Sequence, residues 1–186
     1  MKTSHLSTQA ILLFCLALFG CGSSSPANDG NEPDEGARSE PPASTPPLSD
    51  SSENSSLASG SLVILNSIRS SSRRCGFTNY AASGPLTWNS KLGAAANAHL
   101  KDMARNGFFE HTGSDGSSVG TRAERAGYDF QGIGENLAMG QRTLDEAFDS
   151  WINSPGHCSN LMDSNHREFG LATDGVLWVS VFGRSF

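Results

Sequence analysis

Residues 61–186 of this chain predict an α+β fold, a three-layer α-β-α sandwich with a central, mainly antiparallel sheet. Two observations predict it. Apolar residues recur at helical spacing in three segments, and near the carboxyl end the pattern changes to that of two strands joined by a tight turn. Because each helix has one apolar stripe, helices before and between the strands are expected to cover the two faces of the sheet.

The first two helices are predicted from their spacing. Leu62, Leu65 and Ile68 lie three residues apart and form one face of the first helix. The second is predicted over residues 90–106, where Gly107 follows as a stop and one stripe contains Leu92, Ala95, Ala96, His99 and Met103. His99 on this apolar stripe is interpreted as a hydrogen-bonded core histidine.

The third helix has the clearest signature. Thr143 and Glu146 form a capping box, and Pro155 is expected to end the helix. Its apolar residues follow the spacing i, i+3, i+4, i+7, i+8, at Leu144, Ala147, Phe148, Trp151 and Ile152.

Two strands are predicted over residues 169–173 and 176–182, with Asp174 and Gly175 as a two-residue turn between them. The second strand, VLWVSVF, is apolar on nearly both faces. We therefore expect it to be buried between layers of the fold.

The first residues indicate export. Residues 1–20, predicted as a signal peptide, begin with Met1-Lys2 and contain an apolar run over residues 10–19 that is too short to span a bilayer. The run ends in Gly20-Cys21, which resembles the lipobox of bacterial lipoproteins, in which the cysteine is acylated and becomes the first mature residue. Cys21 is therefore predicted to anchor the protein to the cell envelope, with an outer membrane as a plausible destination. The alternative is a conventional signal peptide with an incidental cysteine.

Residues 21–60 are predicted to be a disordered tether. They contain six of the eight prolines and few large apolar residues, which is too little apolar surface to offset the entropy of ordering. They carry seven acidic residues and one arginine (net −6), whereas residues 61–186 carry twelve acidic and eleven basic residues (net −1). The predicted domain, residues 61–186, thus lacks the basic surface that nucleic-acid binding requires.

Cys75 and Cys158 are the two cysteines of the predicted domain. An even pair in an exported protein favours a disulfide, with a pair of free buried thiols as the alternative. A bridge would hold the segment that carries His157 against the loop after the first helix.

Many short landmarks follow one another between Leu62 and Phe186, over about two thirds of the chain. They are Pro85-Leu86-Thr87-Trp88, His99 with Met103-Ala104, Phe109-Glu110-His111, Asp115-Gly116, Arg122, Gly127-Tyr128, Gly134-Glu135-Asn136-Leu137-Ala138, Trp151 with Ser154-Pro155-Gly156-His157, and Trp178 to Gly183. In this order the landmarks resemble those of the bacterial branch of the CAP or SCP superfamily, which includes cysteine-rich secretory proteins, antigen 5 and plant pathogenesis-related proteins.

The resemblance implies a surface cavity lined by His111, Glu135 and His157. Eukaryotic members place a second glutamate where this chain has Ser154, and Asp115 or Glu124 could supply that carboxylate. Two imidazoles and a carboxylate are the ligands of an open divalent-metal site, zinc most readily.

The same residues also allow a structural interpretation. Glu135 and Asn136 could bond loop backbone, and His157 could cap a helix that begins near Cys158. The candidate ligands are 24 and 22 residues apart, without the short helical spacing of a metal motif.

The sequence leaves three functions open. The first is a non-catalytic envelope module that binds a metal, a lipid or a peptide in its cavity. The second is a metal-dependent hydrolase or protease, for which no catalytic residue can be identified, and the third is a structural surface protein with a vestigial cavity. A G-x-S-x-G run over residues 116–120 follows a polar turn, whereas a nucleophile elbow follows a core strand, so the run is interpreted as a loop.

The Cys21→Ser variant should lose the lipid and leave the membrane fraction, because acyl chains supply the predicted membrane attachment. Cell fractionation and intact-mass measurement check this. An unchanged membrane fraction with no loss of acyl mass would contradict the anchor.

Overall fold

The computed structural model describes residues 50–186, with side chains from Asn54 onward. The predicted signal peptide, Cys21 and most of the predicted tether lie outside the described residues. The elements in chain order are α1 (Asp50–Arg69), β1 (Arg73–Cys75), β2 (Thr78–Tyr80), β3 (Thr87–Trp88), α2 (Ser90–Asn106), α3 (Val119–Arg125), β4 (Phe130–Met139), α4 (Leu144–Ile152), α5 (Pro155–Met162), β5 (Glu168–Thr173) and β6 (Leu177–Ser185).

A four-stranded sheet forms the middle layer, in the order β3-β5-β6-β4. β3 runs parallel to β5, and the other two pairings are antiparallel. β6 is an inner strand, and its residues from Leu177 to Gly183 are buried, as its apolar sequence predicts.

Helices cover both faces of the sheet. On one face, residues of α1, α4 and α5 pack around Phe169, Leu171 and Phe182. On the other, residues of α2 and α3 pack on Ala172 and Val179. The predicted three-layer sandwich is therefore confirmed.

The second helix has the predicted bounds. The side chain of Asn89 caps its amino end by accepting from the N–H groups of Lys91 and Leu92. Gly107 ends it with a left-handed φ of 67°, a conformation that glycine adopts without strain.

The structure changes two of the predicted helix boundaries. α1 begins at Asp50, inside the segment predicted to be tether, and Leu57 of this stretch packs against the core. The predicted third helix ends at Ile152, and Pro155 does not end it but begins α5. This follows from the chemistry of proline, which lacks the N–H that the first turn of a helix leaves unbonded.

The turn between β5 and β6 lies one residue later than predicted. Asp174 N–H donates to the Leu177 carbonyl at 3.4 Å, so Gly175 and Val176 are the central residues, with a φ of 90° at Gly175. The Asp174 carboxylate accepts from the N–H groups of Val176 and Leu177 and so stabilises this arrangement.

The predicted disulfide is confirmed. Cys75 on β1 is bonded to Cys158 on α5, with the two Cα atoms 5.5 Å apart and a sequence separation of 83. In the chain-entropy model a loop of this size is worth up to ~4.5 kcal/mol. The bridge joins the β1–β2 hairpin (Arg73–Tyr80) to the helix that carries His157.

Within residues 50–186, no helix combines the length and apolar character that crossing a bilayer requires.

α2 packs unusually closely on β5. A Cβ atom on Gly170 would overlap the backbone of Gly93 and Leu92, so only glycine permits this approach of helix to strand.

The Gly170→Ala variant should therefore lower the free energy of unfolding by about 3 kcal/mol, because the helix must move away from the sheet. Gly156→Ala is the matched control, since nothing lies within 4 Å of a Cβ there and the residue is inside α5. It should be neutral or stabilise by up to ~1 kcal/mol. Urea unfolding of both variants measures the difference, and equal stabilities would show that the close approach is relaxed in solution.

Candidate functional site

Glu135 is the centre of the candidate site. It lies on β4, at the edge of the sheet, opposite Val181 of β6. Its side chain is only 2% exposed. A buried carboxylate is costly unless charged and hydrogen-bonding partners surround it, so its neighbours determine what the site can do.

Arg122 supplies the countercharge. It is itself buried, and its Nη2 donates to Glu135 Oε2 at 2.8 Å and to the His111 carbonyl at 3.1 Å. Its Nη1 donates to the Ser117 carbonyl at 2.8 Å. One guanidinium thus joins α3, the loop before it and strand β4. The sequence shows Arg122 only as one of the landmarks of the family resemblance. The signal for its role is the glutamate itself, because a buried Glu135 requires a cation nearby.

His111 bonds the other oxygen of the same carboxylate. Its Nδ1 lies 2.9 Å from Glu135 Oε1, while the His111 side chain is 60% exposed. The hydrogen bond to Glu135 raises the pKa of His111, and burial opposes the shift. When Nδ1 carries the proton of this bond, Nε2 of the neutral ring has the free lone pair.

His157 approaches from the opposite layer. It lies in the first turn of α5, half-buried, and the Asn136 amide donates to its carbonyl at 3.1 Å. Burial lowers the pKa of the His157 imidazole, and the positive charge of His111 lowers it further. Since Glu135 and Asn136 are consecutive strand residues, their side chains point to opposite faces of β4, and the two histidines lie on either side of this edge strand.

Asn160 strengthens the attachment of α5 to β4. Its amide donates to the Glu135 carbonyl at 3.1 Å and to Asn136 Oδ1 at 2.9 Å. The structural role of backbone bonding thus falls to Asn136 alone, and the backbone it bonds is that of α5 and not of a loop. The Glu135 side chain bonds Arg122 and His111.

His99 is the core histidine that the sequence predicts. It is fully buried on α2, and its Nε2 bonds the Glu110 carbonyl at 2.8 Å. The same nitrogen lies 3.9 Å from Glu135 Oε1, so His99 forms the inner wall of the site, which its position on an apolar stripe did not reveal. Burial lowers the pKa of His99.

The two candidate replacement carboxylates do not join the hydrogen bonds around Glu135. Asp115 pairs with Arg125 at 2.6 Å and accepts from the Ser117 N–H at 2.9 Å. Glu124 is exposed on α3.

The G-x-S-x-G run has a structural role. Ser118 caps α3 by accepting from the Thr121 N–H, and the preceding residues form a loop. The interpretation of this run as a loop holds for residues 116–118, which follow no strand, whereas Val119 and Gly120 already belong to α3.

His111 and His157 are the two imidazoles that could contribute to a metal site here. In the described part of the chain, no group of three or more His, Cys, Asp and Glu side chains is placed to hold a metal ion. Protein zinc sites use three or four protein ligands. The bonds of Glu135 to Arg122 and His111 favour its role as the partner that orients a ring over a role as third ligand.

Known proteins are similar to this chain in sequence or in fold. The model of the cysteine-rich secretory protein family, CAP, matches residues 63–175. Two proteins of Bacillus subtilis (strain 168) are similar in sequence. The membrane protein YlbC is 33% identical over 97 residues, which cover 52% of this chain and 28% of YlbC. YkwD is 31% identical over 100 residues, which cover 53% of this chain and 39% of YkwD. The matched stretch is thus less than half of either relative.

Two solved structures have the same fold. An extracellular protein with an SCP domain from Bacillus anthracis str. Ames superposes with a TM-score of 0.58 at 22% identity, covering 76% of this chain and 45% of that one. An outer surface protein from Borrelia burgdorferi superposes with a TM-score of 0.56 at 22% identity, covering 74% of this chain and 96% of that one. With the family model matching well over half of its residues, the chain belongs to the CAP, or cysteine-rich secretory protein, family.

Proposed function

We propose that this protein is a non-catalytic binding module of the bacterial envelope, which holds a divalent cation through the imidazoles of His111 and His157. The observation that carries the proposal is the bond between His111 Nδ1 and the buried Glu135 carboxylate, 2.9 Å long, next to a ring that is 60% exposed. A carboxylate behind an imidazole fixes the tautomer of the ring and raises its basicity, as it does behind metal-bound histidines.

Binding is favoured over hydrolysis by the surroundings of Glu135. A metal that activates water is usually held by three protein ligands, and a general base must reach the water. The Glu135 carboxylate is buried and directed at Arg122 and His111. This geometry supports a positioning role for Glu135.

The ligand that completes the site is proposed to be an acidic group of a peptide or a lipid. Two imidazoles leave about two of the four coordination positions of a tetrahedral zinc ion open. The exposed side of His111 allows a ligand to approach from solvent.

An extracytoplasmic location is supported by two features. The Cys75–Cys158 disulfide is typical of an oxidising compartment. The fold is also that of an extracellular protein and of an outer surface protein. We propose that acylated Cys21 attaches the domain to the envelope, outer membrane included where the host has one.

The role of Glu135 can be tested without any metal. In wild-type protein His111 should titrate above the usual value of about 6.5, and Glu135→Gln should lower its pKa, because the amide removes the negative charge. Asp115→Asn, the corresponding carboxylate-to-amide change on the loop that carries His111, should leave the pKa of His111 unchanged. NMR titration of the imidazole protons measures all three, and a wild-type His111 that titrates below the usual value would refute the bond.

Zinc binding tests the function itself. Calorimetric titration should show binding near pH 7.5 that weakens toward about pH 5.5, because both imidazoles must lose their protons to coordinate. His111→Ala and His157→Ala should each abolish binding, and Glu135→Gln should weaken it less.

The control for the zinc titration is Glu124→Gln, which changes an exposed carboxylate on α3 and should bind as wild type does. Circular dichroism verifies that the variants are folded. Absence of zinc uptake by folded wild-type protein would leave the site as a structural network and remove the proposed function.

A further inference from the structure

The tip of the β1–β2 hairpin presents a fully exposed aromatic side chain. Phe77 is 98% exposed, more than any other large apolar residue of the described chain. Single exposed apolar residues are common on protein surfaces. Phe77 differs from such residues because its hairpin is held rigidly and carries positive charge.

The hairpin is held rigidly. Cys75, directly before the turn, is buried and bonded to Cys158 on α5. Gly76 has a φ of 60° and lies so close to Pro155 that a Cβ would be 2.9 Å from the proline ring. The turn therefore contacts α5 through two consecutive residues, and Phe77 projects from a stiff base.

The hairpin is also positively charged. Arg73 and Arg74 lie on β1, opposite Tyr80 and Asn79. Arg74 is exposed, whereas Arg73 is half-buried, with a buried Nε that has no hydrogen-bond partner. Residues 54–101 contain five basic residues and no acidic one, and the sequence of α5 contains no acidic residue. Neither the hairpin nor α5, the helix against which it packs, thus carries an acidic residue that could pair with the two arginines.

We propose that the β1–β2 hairpin docks on an anionic lipid surface, with Phe77 entering the boundary between headgroups and acyl chains and Arg73 and Arg74 lying among the headgroups. An aromatic side chain flanked by arginines suits this boundary. A specific protein partner would require about 800 Å² of complementary surface, which a two-residue convex tip does not offer.

This contact is distinct from the Cys21 anchor and from the metal site. One aromatic ring and two charges bind a membrane only weakly. When the chain is already held at the membrane, the same contact becomes an intramolecular event at high effective concentration and orients the domain.

The test uses the chain from Gly22 onward, which lacks the predicted signal and the acylated cysteine but retains both apolar clusters, all of whose members lie between Leu57 and Phe182. Cosedimentation is measured with vesicles of phosphatidylglycerol and phosphatidylcholine in equal parts, and with phosphatidylcholine alone. Wild-type protein should partition onto the anionic vesicles only, and added salt should weaken the partitioning.

Phe77→Ser should lower the partition coefficient about tenfold, and Phe77→Trp should preserve it. Arg73→Gln and Arg74→Gln should lower it about fivefold each. Val176→Ser is the matched control, because Val176 is also exposed at a hairpin tip, at 56%, but beside Asp174 and without a basic neighbour in its turn. It should bind as wild type does.

Equal binding to both kinds of vesicle, or no binding, overturns the proposal. A loss of binding in the arginine variants with no change in Phe77→Ser also overturns it, since that result identifies an anionic polymer or simple charge attraction and not lipid insertion. The variants leave His111, Glu135 and His157 in place, so the zinc titration remains an independent measurement.

Discussion

The site depends on the ion pair between Glu135 and Arg122. Both side chains are buried, and burial of either charge without the other would carry a large desolvation penalty. The pair joins the edge strand β4 to α3, and through the His111 carbonyl it also holds the loop that carries the exposed imidazole. Loss of either partner would leave a buried charge uncompensated, with consequences for the shape of the site and for the packing of α3.

The other side of the site is held by neutral amides and by the disulfide. Asn136 and Asn160 attach α5 to β4, and Cys158 attaches α5 to the β1–β2 hairpin. The Glu135–Arg122 ion pair thus holds the loop of His111 on one face of β4, and the two Asn side chains together with the disulfide hold the helix of His157 on the other. Because β4 is an edge strand, the loop and the helix approach it from opposite faces, and the charge of His111 acts on the imidazole of His157.

The layered fold was predictable because its helices and its inner strand carry strong periodic patterns. The stripe on α2, the capping box at Thr143 and the apolar run of β6 each follow from local chemistry. The sequence does not predict β4. Its residues FQGIGENLAM contain two glycines and a charged residue, Glu135, and they lack the alternation of apolar and polar residues that marks an ordinary strand. The apolar residues Leu137 and Ala138 form a run that is too short to predict a strand by itself.

The sequence points to His111, Glu135 and His157 as candidate residues, but it does not reveal the side chains that surround the carboxylate. His99 and Arg122 contact Glu135 through the tertiary fold, at sequence separations of 36 and 13 residues that no local pattern records. The turn at Gly175 was displaced because the Asp174 side chain bonds two backbone N–H groups, a contact that the dipeptide Asp-Gly does not specify.

The start of α5 at Pro155 has an electrostatic consequence for His157. The peptide dipoles of a helix produce a partial positive charge at its amino end, and His157 lies within the first turn of α5. That field opposes a proton on the imidazole, in the same direction as the burial that lowers its pKa. The same field attracts a negative group that approaches the ring. The proline that opens this helix therefore places His157 where a neutral, lone-pair-bearing ring and a neighbouring anion are both favoured.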